Sequence, residues 1–206
     1  MYQTRRRFLG TMSILAMYGP RLVCSQDAKP AVLYNDGNAA EKWLLPWLQA
    51  PGAVSGGLHL GRFADRTYYT LKEIGWRPGD GQMALPAVTV PAGFVTDLAS
   101  IPRVFWSLLP SDGQYTFPAI VHDYLYWTQT TSREDADLVF RYGMEDMKID
   151  AVTVAAIYNA VRLGGEGPWN QNARLRNRGE RRFLVELPED PTITWEIWKT
   201  RAGVLR

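Results

Sequence analysis

Cysteine is all but missing from this 206-residue sequence: Cys24 stands alone near the N-terminus, so residues 26–206 can form no disulfide. Histidine is nearly as scarce, with only His59 and His122. Two histidines without a cysteine beside them offer too few nitrogen and sulfur donors for a conventional zinc site, and no His-Glu-x-x-His segment occurs. There is no Gly-x-Ser-x-Gly nucleophile elbow and no phosphate-binding Gly-rich loop, which removes two common catalytic scaffolds. An excess of one charge is lacking too. The 23 Lys and Arg nearly balance the 21 Asp and Glu, and several of the cations sit in the first seven residues. Without a global basic field, nucleic acid is not an expected partner.

What is present in quantity is apolar and aromatic side chain. Hydrophobic residues make up 46% of the chain and aromatics 12%, with eight Trp, ten Tyr and seven Phe. That is enough bulky surface to bury a real core, and it argues against chain-wide disorder. About 180 residues follow position 25, which suits one domain under the usual ~100–200 residues per domain.

The N-terminus reads Thr4-Arg5-Arg6-Arg7-Phe8-Leu9-Gly10, followed by the short apolar run Met12-Ser13-Ile14-Leu15-Ala16-Met17-Tyr18. This resembles a twin-arginine export signal over roughly residues 1–25, whose charge is read by a receptor. The apolar run falls far short of the ~18 residues that span a bilayer. The resemblance implies the twin-arginine export machinery as a partner and a periplasmic or secreted location. Val23 and Ser25 are candidate small residues before a cut, and Cys24 is a candidate for lipidation. The alternative is an N-terminal segment whose arginines no receptor reads.

Residues 26–57 form a lead-in, with an amphipathic patch over 40–48 and a turn-rich stretch over 51–57. From Leu58 the pattern becomes strand-like: residues 66–71 are rich in β-branched and aromatic side chains, and 87–90 follow a Gly/Pro turn near 78–81. Helical patterning begins after Pro118. Residues 119–127 are apolar nearly all round, as in a buried helix. Ser132-Arg133-Glu134-Asp135 resembles a capping box opening a second helix through about Met147. Asp150 caps a third, which runs over 151–163 until Gly164-Gly165 stops it. The expected fold is α+β, a small antiparallel sheet before a bundle of about three helices, with a core over 58–170 and a C-terminal extension over 171–206. In that extension Arg174, Arg176, Arg178, Arg181 and Arg182 read as a solvated face or as a contact with an anionic surface.

The two histidines differ in company. His59 lies in a polar, Gly-flanked stretch and reads as an exposed or strand residue. His122 sits on the apolar helix beside Asp123, with Tyr126 one turn later on the same face. Two ionisable groups on a buried helix need partners. Asp137, set among the apolar positions of the next helix, is the candidate, because a short link over 128–131 would pack the two helices antiparallel. A carboxylate on one ring nitrogen fixes the tautomer and leaves the other nitrogen to act as a general base. The alternative is a satisfied polar network within a helix core.

The pattern His122-Asp123-x-x-Tyr126 followed by Ala136-Asp137-x-x-Phe140 resembles the two catalytic helices of secreted calcium-dependent phospholipase A2, over about residues 118–141. The resemblance implies that His122 activates water, Asp123 ligates Ca²⁺, and Asp137 orients His122 with help from the Tyr126 hydroxyl. Ca²⁺ takes six to eight oxygens, so residues 93–100, with Asp97, are the candidates for the remainder. Over about residues 60–170 the chain also resembles an uncharacterised family common in phages, prophages and bacteria. Its hallmark is Pro91-x-Gly93-Phe94-x-Thr96-Asp97-x-Ala99-Ser100-Ile101-Pro102, then His122-Asp123-x-x-Tyr126, then Ser132-Arg133-x-x-Ala136-Asp137. This grouping adds Ser100 and Arg133 as candidate substrate-binding residues; their plainer roles are a turn cap and an ion pair within a first helical turn. Three functional classes stay open: a calcium-dependent ester hydrolase acting on membrane lipid, a phage-derived cell-wall hydrolase, and a non-catalytic envelope or phage-structural module.

Overall fold

A computed structural model describes residues 52–82, 84–98 and 115–206. The expected export signal, the possible lipidation of Cys24, the 40–48 patch and Ser100 lie outside the described residues.

Six short strands precede the helices: β1 (Ala53–Ser55), β2 (Leu60–Arg62), β3 (Tyr68–Thr70), β4 (Ile74–Arg77), β5 (Val88–Val90) and β6 (Val95–Thr96). The fold is α+β, as the sequence predicts, but the strands divide between two antiparallel three-stranded sheets, ordered β1-β4-β5 and β2-β3-β6. The strand-like runs at 66–71 and 87–90 therefore do not pair with each other. Each has an inward face set by its neighbours. In the first sheet Ile74 stands opposite Val90 and Trp76 opposite Val88, which puts all four side chains into one buried layer. In the second, Tyr69 stands opposite Val95. Thr70 is wholly buried yet satisfied: its hydroxyl donates to the Pro91 carbonyl at 2.8 Å and accepts from the Phe94 N–H at 3.0 Å.

The helices are α1 (Thr116–Thr128), α2 (Arg133–Asp146), α3 (Ala151–Gly164), α4 (Glu166–Asn177) and the single turn α5 (Trp195–Trp198). Two start as their sequences dictate. Ser132 Oγ accepts from the Asp135 N–H at 3.0 Å and donates to the Asp135 carboxylate at 2.7 Å. Asp150 Oδ1 accepts from the Thr153 N–H at 2.9 Å. Helix α1 ends where Gln129 turns through the left-handed region (φ 51°). Helices α1 and α2 run antiparallel, with Pro118 beside Gly143 and His122 beside Asp137. Phe117, Ile120 and Val121 carry α1 onto the first sheet. Ala119 joins Phe140, Met144, Val154, Ile157 and Val161 between α1, α2 and α3. Each large side chain so buried contributes roughly 1.5–3 kcal/mol.

Residues after 170 complete the fold. The Arg182 carbonyl accepts from the Val95 N–H at 2.8 Å, and Phe183 bridges Phe94. Leu184, Ile193, Trp195, Trp198 and Val204 then build an apolar cluster on Phe63, Tyr69 and Val95. The Trp195 N–H closes this region onto the Asp65 carboxylate at 3.0 Å. The five arginines do not form one solvated face: Arg176 donates to the Thr128 carbonyl and to Gln129, and Arg182 lies 4.5 Å over the Trp127 ring. Among the described residues no helix is long and apolar enough to cross a membrane.

Candidate active site

Helix α1 is buried on nearly every face, so it carries His122 (1% exposed) into the protein. Helix α2 brings Asp137 to it on the same inward stripe as Ala136, Val139 and Phe140. The His122 Nε2 lies 2.9 Å from Asp137 Oδ1, and the Tyr126 hydroxyl donates to that oxygen at 2.6 Å. The other oxygen, Oδ2, accepts from Arg162 at 2.8 Å and from Arg133 at 3.1 Å. The imidazole plane is held by Phe140, stacked at 4.7 Å, and by Tyr126 at 4.1 Å.

The electrostatics follow from these contacts. Burial pushes the Asp137 carboxyl upward, but hydrogen bonds from His122, Tyr126 and Arg162, together with nearby positive charge, hold it below the ordinary aspartate value. It is therefore an ionised acceptor, so the ring nitrogen facing it carries the proton. Burial is also the largest influence on His122. It keeps the ring below its usual range against the pull of Asp137, with Arg133 pushing the same way as burial. A neutral ring protonated on Nε2 carries its lone pair on Nδ1. Burial and the Asp137 hydrogen bond raise the Tyr126 phenol, which stays a donor.

The site opens on a cleft of about 620 Å³ lined by His122, Asp123 and Tyr126, by Asp97 beyond β6, and by the end of α3 and much of α4. Asp123 is nearly buried and accepts a short hydrogen bond from the Thr96 hydroxyl, which itself accepts from the Leu98 N–H at 3.0 Å. The chain turns through the left-handed region at Leu98 (φ 54°), beside Asp97. The junction of α3 and α4 closes tightly over the dyad. A Cβ on Gly165 would strike the Tyr126 hydroxyl and lie 2.6 Å from the Val161 carbonyl, so glycine is required there for close approach.

Four of the residues singled out from sequence, His122, Asp123, Tyr126 and Asp97, share this cleft, and Asp137 stands behind His122. Arg133 is engaged with Asp137 and does not line the cleft. His59 is exposed and also lies outside it. As a cation site, Asp97 and Asp123 supply the oxygen donors a hard ion prefers, but two carboxylates do not complete a calcium shell of six to eight oxygens. Among the described residues no group of three or more His, Cys, Asp or Glu could hold a metal ion. Arg162 was not anticipated. Its sequence signal was a cation next to the buried stripe Val154, Ile157, Val161 of α3, where a long polar side chain calls for an acidic partner.

The protein is thus an α+β fold in which a buried His–Asp–Tyr network opens on a cleft. Residues 80–161 match the family described as "Protein of unknown function (DUF1353)". An uncharacterized protein, y4jT, of Sinorhizobium fredii (strain NBRC 101917 / NGR234) is 33% identical over 90 residues, 43% of this chain and 26% of the relative. The match thus spans about a quarter of that curated relative. Both similarities point to an uncharacterised family, and the matched residues 80–161 hold Asp97, His122, Asp123, Tyr126, Arg133 and Asp137. No solved structure matches the chain.

Proposed function

We propose that this protein is an exported ester hydrolase in which His122, oriented by Asp137, is the general base. The observation that carries the reading is the 2.9 Å contact of His122 Nε2 with Asp137 on a ring that also lines a cleft shared with two further carboxylates. In the proposed reaction a water attacks the ester carbonyl and gives its proton to His122 Nδ1. Asp137 stabilises the resulting imidazolium through the Nε2–H. Collapse of the tetrahedral intermediate breaks the ester C–O bond, and the His122 proton passes to the departing alkoxide. The Tyr126 hydroxyl and the two arginines hold the Asp137 carboxylate in place while the ring charges and discharges. The likeness of His122-Asp123-x-x-Tyr126 and Ala136-Asp137 to calcium-dependent phospholipase A2 supports the same roles. Ca²⁺ bound by Asp123 and Asp97 would supply Lewis-acid polarisation of the carbonyl.

Fluorescent phospholipid and purified peptidoglycan, each with Ca²⁺ or EDTA, separate the functional classes. Calcium-dependent lipid cleavage, lost in His122→Ala and Asp137→Ala, is the expected result. Wall cleavage selects the phage-derived wall hydrolase instead. The 1% exposure of His122 favours, as the second reading, a network that serves architecture alone, and inactivity on both substrates selects it. Export is proposed on the Arg5-Arg6-Arg7-Phe8-Leu9 pattern. A reporter fused to residues 1–30 should reach the periplasm and fail to do so when Arg5 and Arg6 become Lys.

A further inference from the structure

The cleft contains two cations that no part of the dyad uses. Arg174, on α4, is exposed, and its Nε and one terminal nitrogen both donate to Gln171 Oε1 at 3.2 and 2.8 Å. That double bond within one turn of its own helix fixes the guanidinium. Arg182 is held more firmly. Its carbonyl is tied to the edge of β6, its guanidinium lies 4.5 Å over the buried Trp127 ring, and its side chain is 17% exposed. Among the described residues its one ion pair is a long contact of Nε with Glu180 at 3.5 Å, and the buried Nε has no hydrogen-bond partner. Both arginines line the cleft, and no salt bridge joins either to Asp97 or Asp123.

A half-buried guanidinium stacked on an aromatic face keeps its in-plane N–H edge for an oxyanion. Arg182 is such a group, exposed Arg174 adds a second cation to the lining of the same cleft, and a tetrahedral phosphate, with more oxygens than a carboxylate, can bridge the two. We propose that Arg174 and Arg182 form a phosphate seat in this cleft, so that the ligand bears a phosphate group near the bond presented to His122. The inference rests on the reading of this cleft as the working site. A lipid head group and a soluble phosphate compound offer the same chemistry, and the test separates them.

The full chain is titrated calorimetrically with inorganic phosphate, and its co-sedimentation with phosphatidylcholine vesicles is measured alongside. Arg174→Gln, Arg182→Gln and Arg182→Lys are compared with Arg178→Gln; Arg178 lines a separate cavity. Either Gln variant should weaken phosphate binding or vesicle binding roughly tenfold to a hundredfold. Arg182→Lys, which keeps charge but loses the planar fork, should fall between, and Arg178→Gln should match the wild type. Arginine-dependent binding of free phosphate assigns a soluble ligand; arginine-dependent binding of vesicles alone assigns a head group. Flat responses to both probes, or a loss seen only in Arg178→Gln, overturn the proposal. Arg174 is exposed, so its variant reports on binding even where Arg182→Gln disturbs packing on Trp127. Arginine-dependent binding without cleavage of any ester retires the hydrolase reading and leaves the seat standing. Cleavage indifferent to phosphate and to both arginines does the reverse.

Discussion

Around Trp195 the protein buries Phe63, Tyr69, Val95, Leu184, Ile193, Trp198 and Val204 with no charged residue among them. Between α1, α2 and α3 it buries His122 and Asp137 at 1% and 0% exposure and reaches two arginines in to meet them. The first arrangement is what stability alone asks for. The second costs several kcal/mol in desolvation, offset by the hydrogen bonds and charges its partners supply, and a well-packed apolar core could replace it. The regions differ in a second way. The apolar cluster joins residues 63–95 to residues 184–204, whereas the dyad, Tyr126 and Arg133 come from one helical hairpin and Arg162 from the next helix.

The two regions part most clearly at Asp137. Asp137→Ala leaves Arg133, Arg162 and the Tyr126 hydroxyl facing an empty position, and should destabilise the protein by about 3–5 kcal/mol while removing hydrolysis. Phe63→Ala should cost a similar or slightly smaller amount, about 3 kcal/mol, from cavity formation. It should leave activity per folded molecule unchanged. Urea denaturation read beside turnover on the fluorescent ester distinguishes the two; equal loss of specific activity in both variants would mean that the dyad is no more functional than the apolar cluster.

Acid should separate the regions more finely. In the native state both His122 and Asp137 titrate below their ordinary values of 6.5 and 3.8. In each case the unfolded chain binds protons first, so stability rises with pH through that window. The His122 contribution is complete above pH 6.5 and is lost as pH falls toward its native value; that of Asp137 is lost in turn below pH 3.8. Thermal midpoints measured against pH should therefore lose the upper decline in His122→Gln. Phe63→Leu should lower the whole curve without changing its shape.

How much of this could be read from the sequence depended on distance along the chain. The α1–α2 hairpin was legible because every clue is local: an apolar helix, a short link, the Ser132 cap, and carboxylates at inward positions. The division into two sheets was not, because residues 68–70 and 88–90 carry the same β signal and only their partners, β6 and β4, tell them apart. The residues after 170 read as an extension, since Trp195 finds its hydrogen-bond partner, Asp65, 130 residues earlier. Gly164-Gly165 read as a stop. The structure gives Gly165 a further reason, the close approach of the Tyr126 hydroxyl, which no local pattern encodes.

Arg133 offers the smallest effect and the finest test. It sits one turn before Asp137 on the same helix, with its side chain 25% exposed, and Arg162 holds the same carboxylate oxygen. Arg133→Gln should therefore cost only about 0.5–1 kcal/mol. Its charge, however, helps to keep His122 below the ordinary histidine range. Removing it raises the His122 value, and a base that must be neutral to accept a proton is then lost at higher pH. The acid limb of kcat/KM should move to higher pH in Arg133→Gln and stay near the wild-type position in Arg133→Lys, which keeps the charge. A purely structural arginine would lower the plateau and leave the limb in place. An unmoved limb in Arg133→Gln would mean that the group titrating in the rate is not His122, and the general base would have to be sought among the cleft carboxylates.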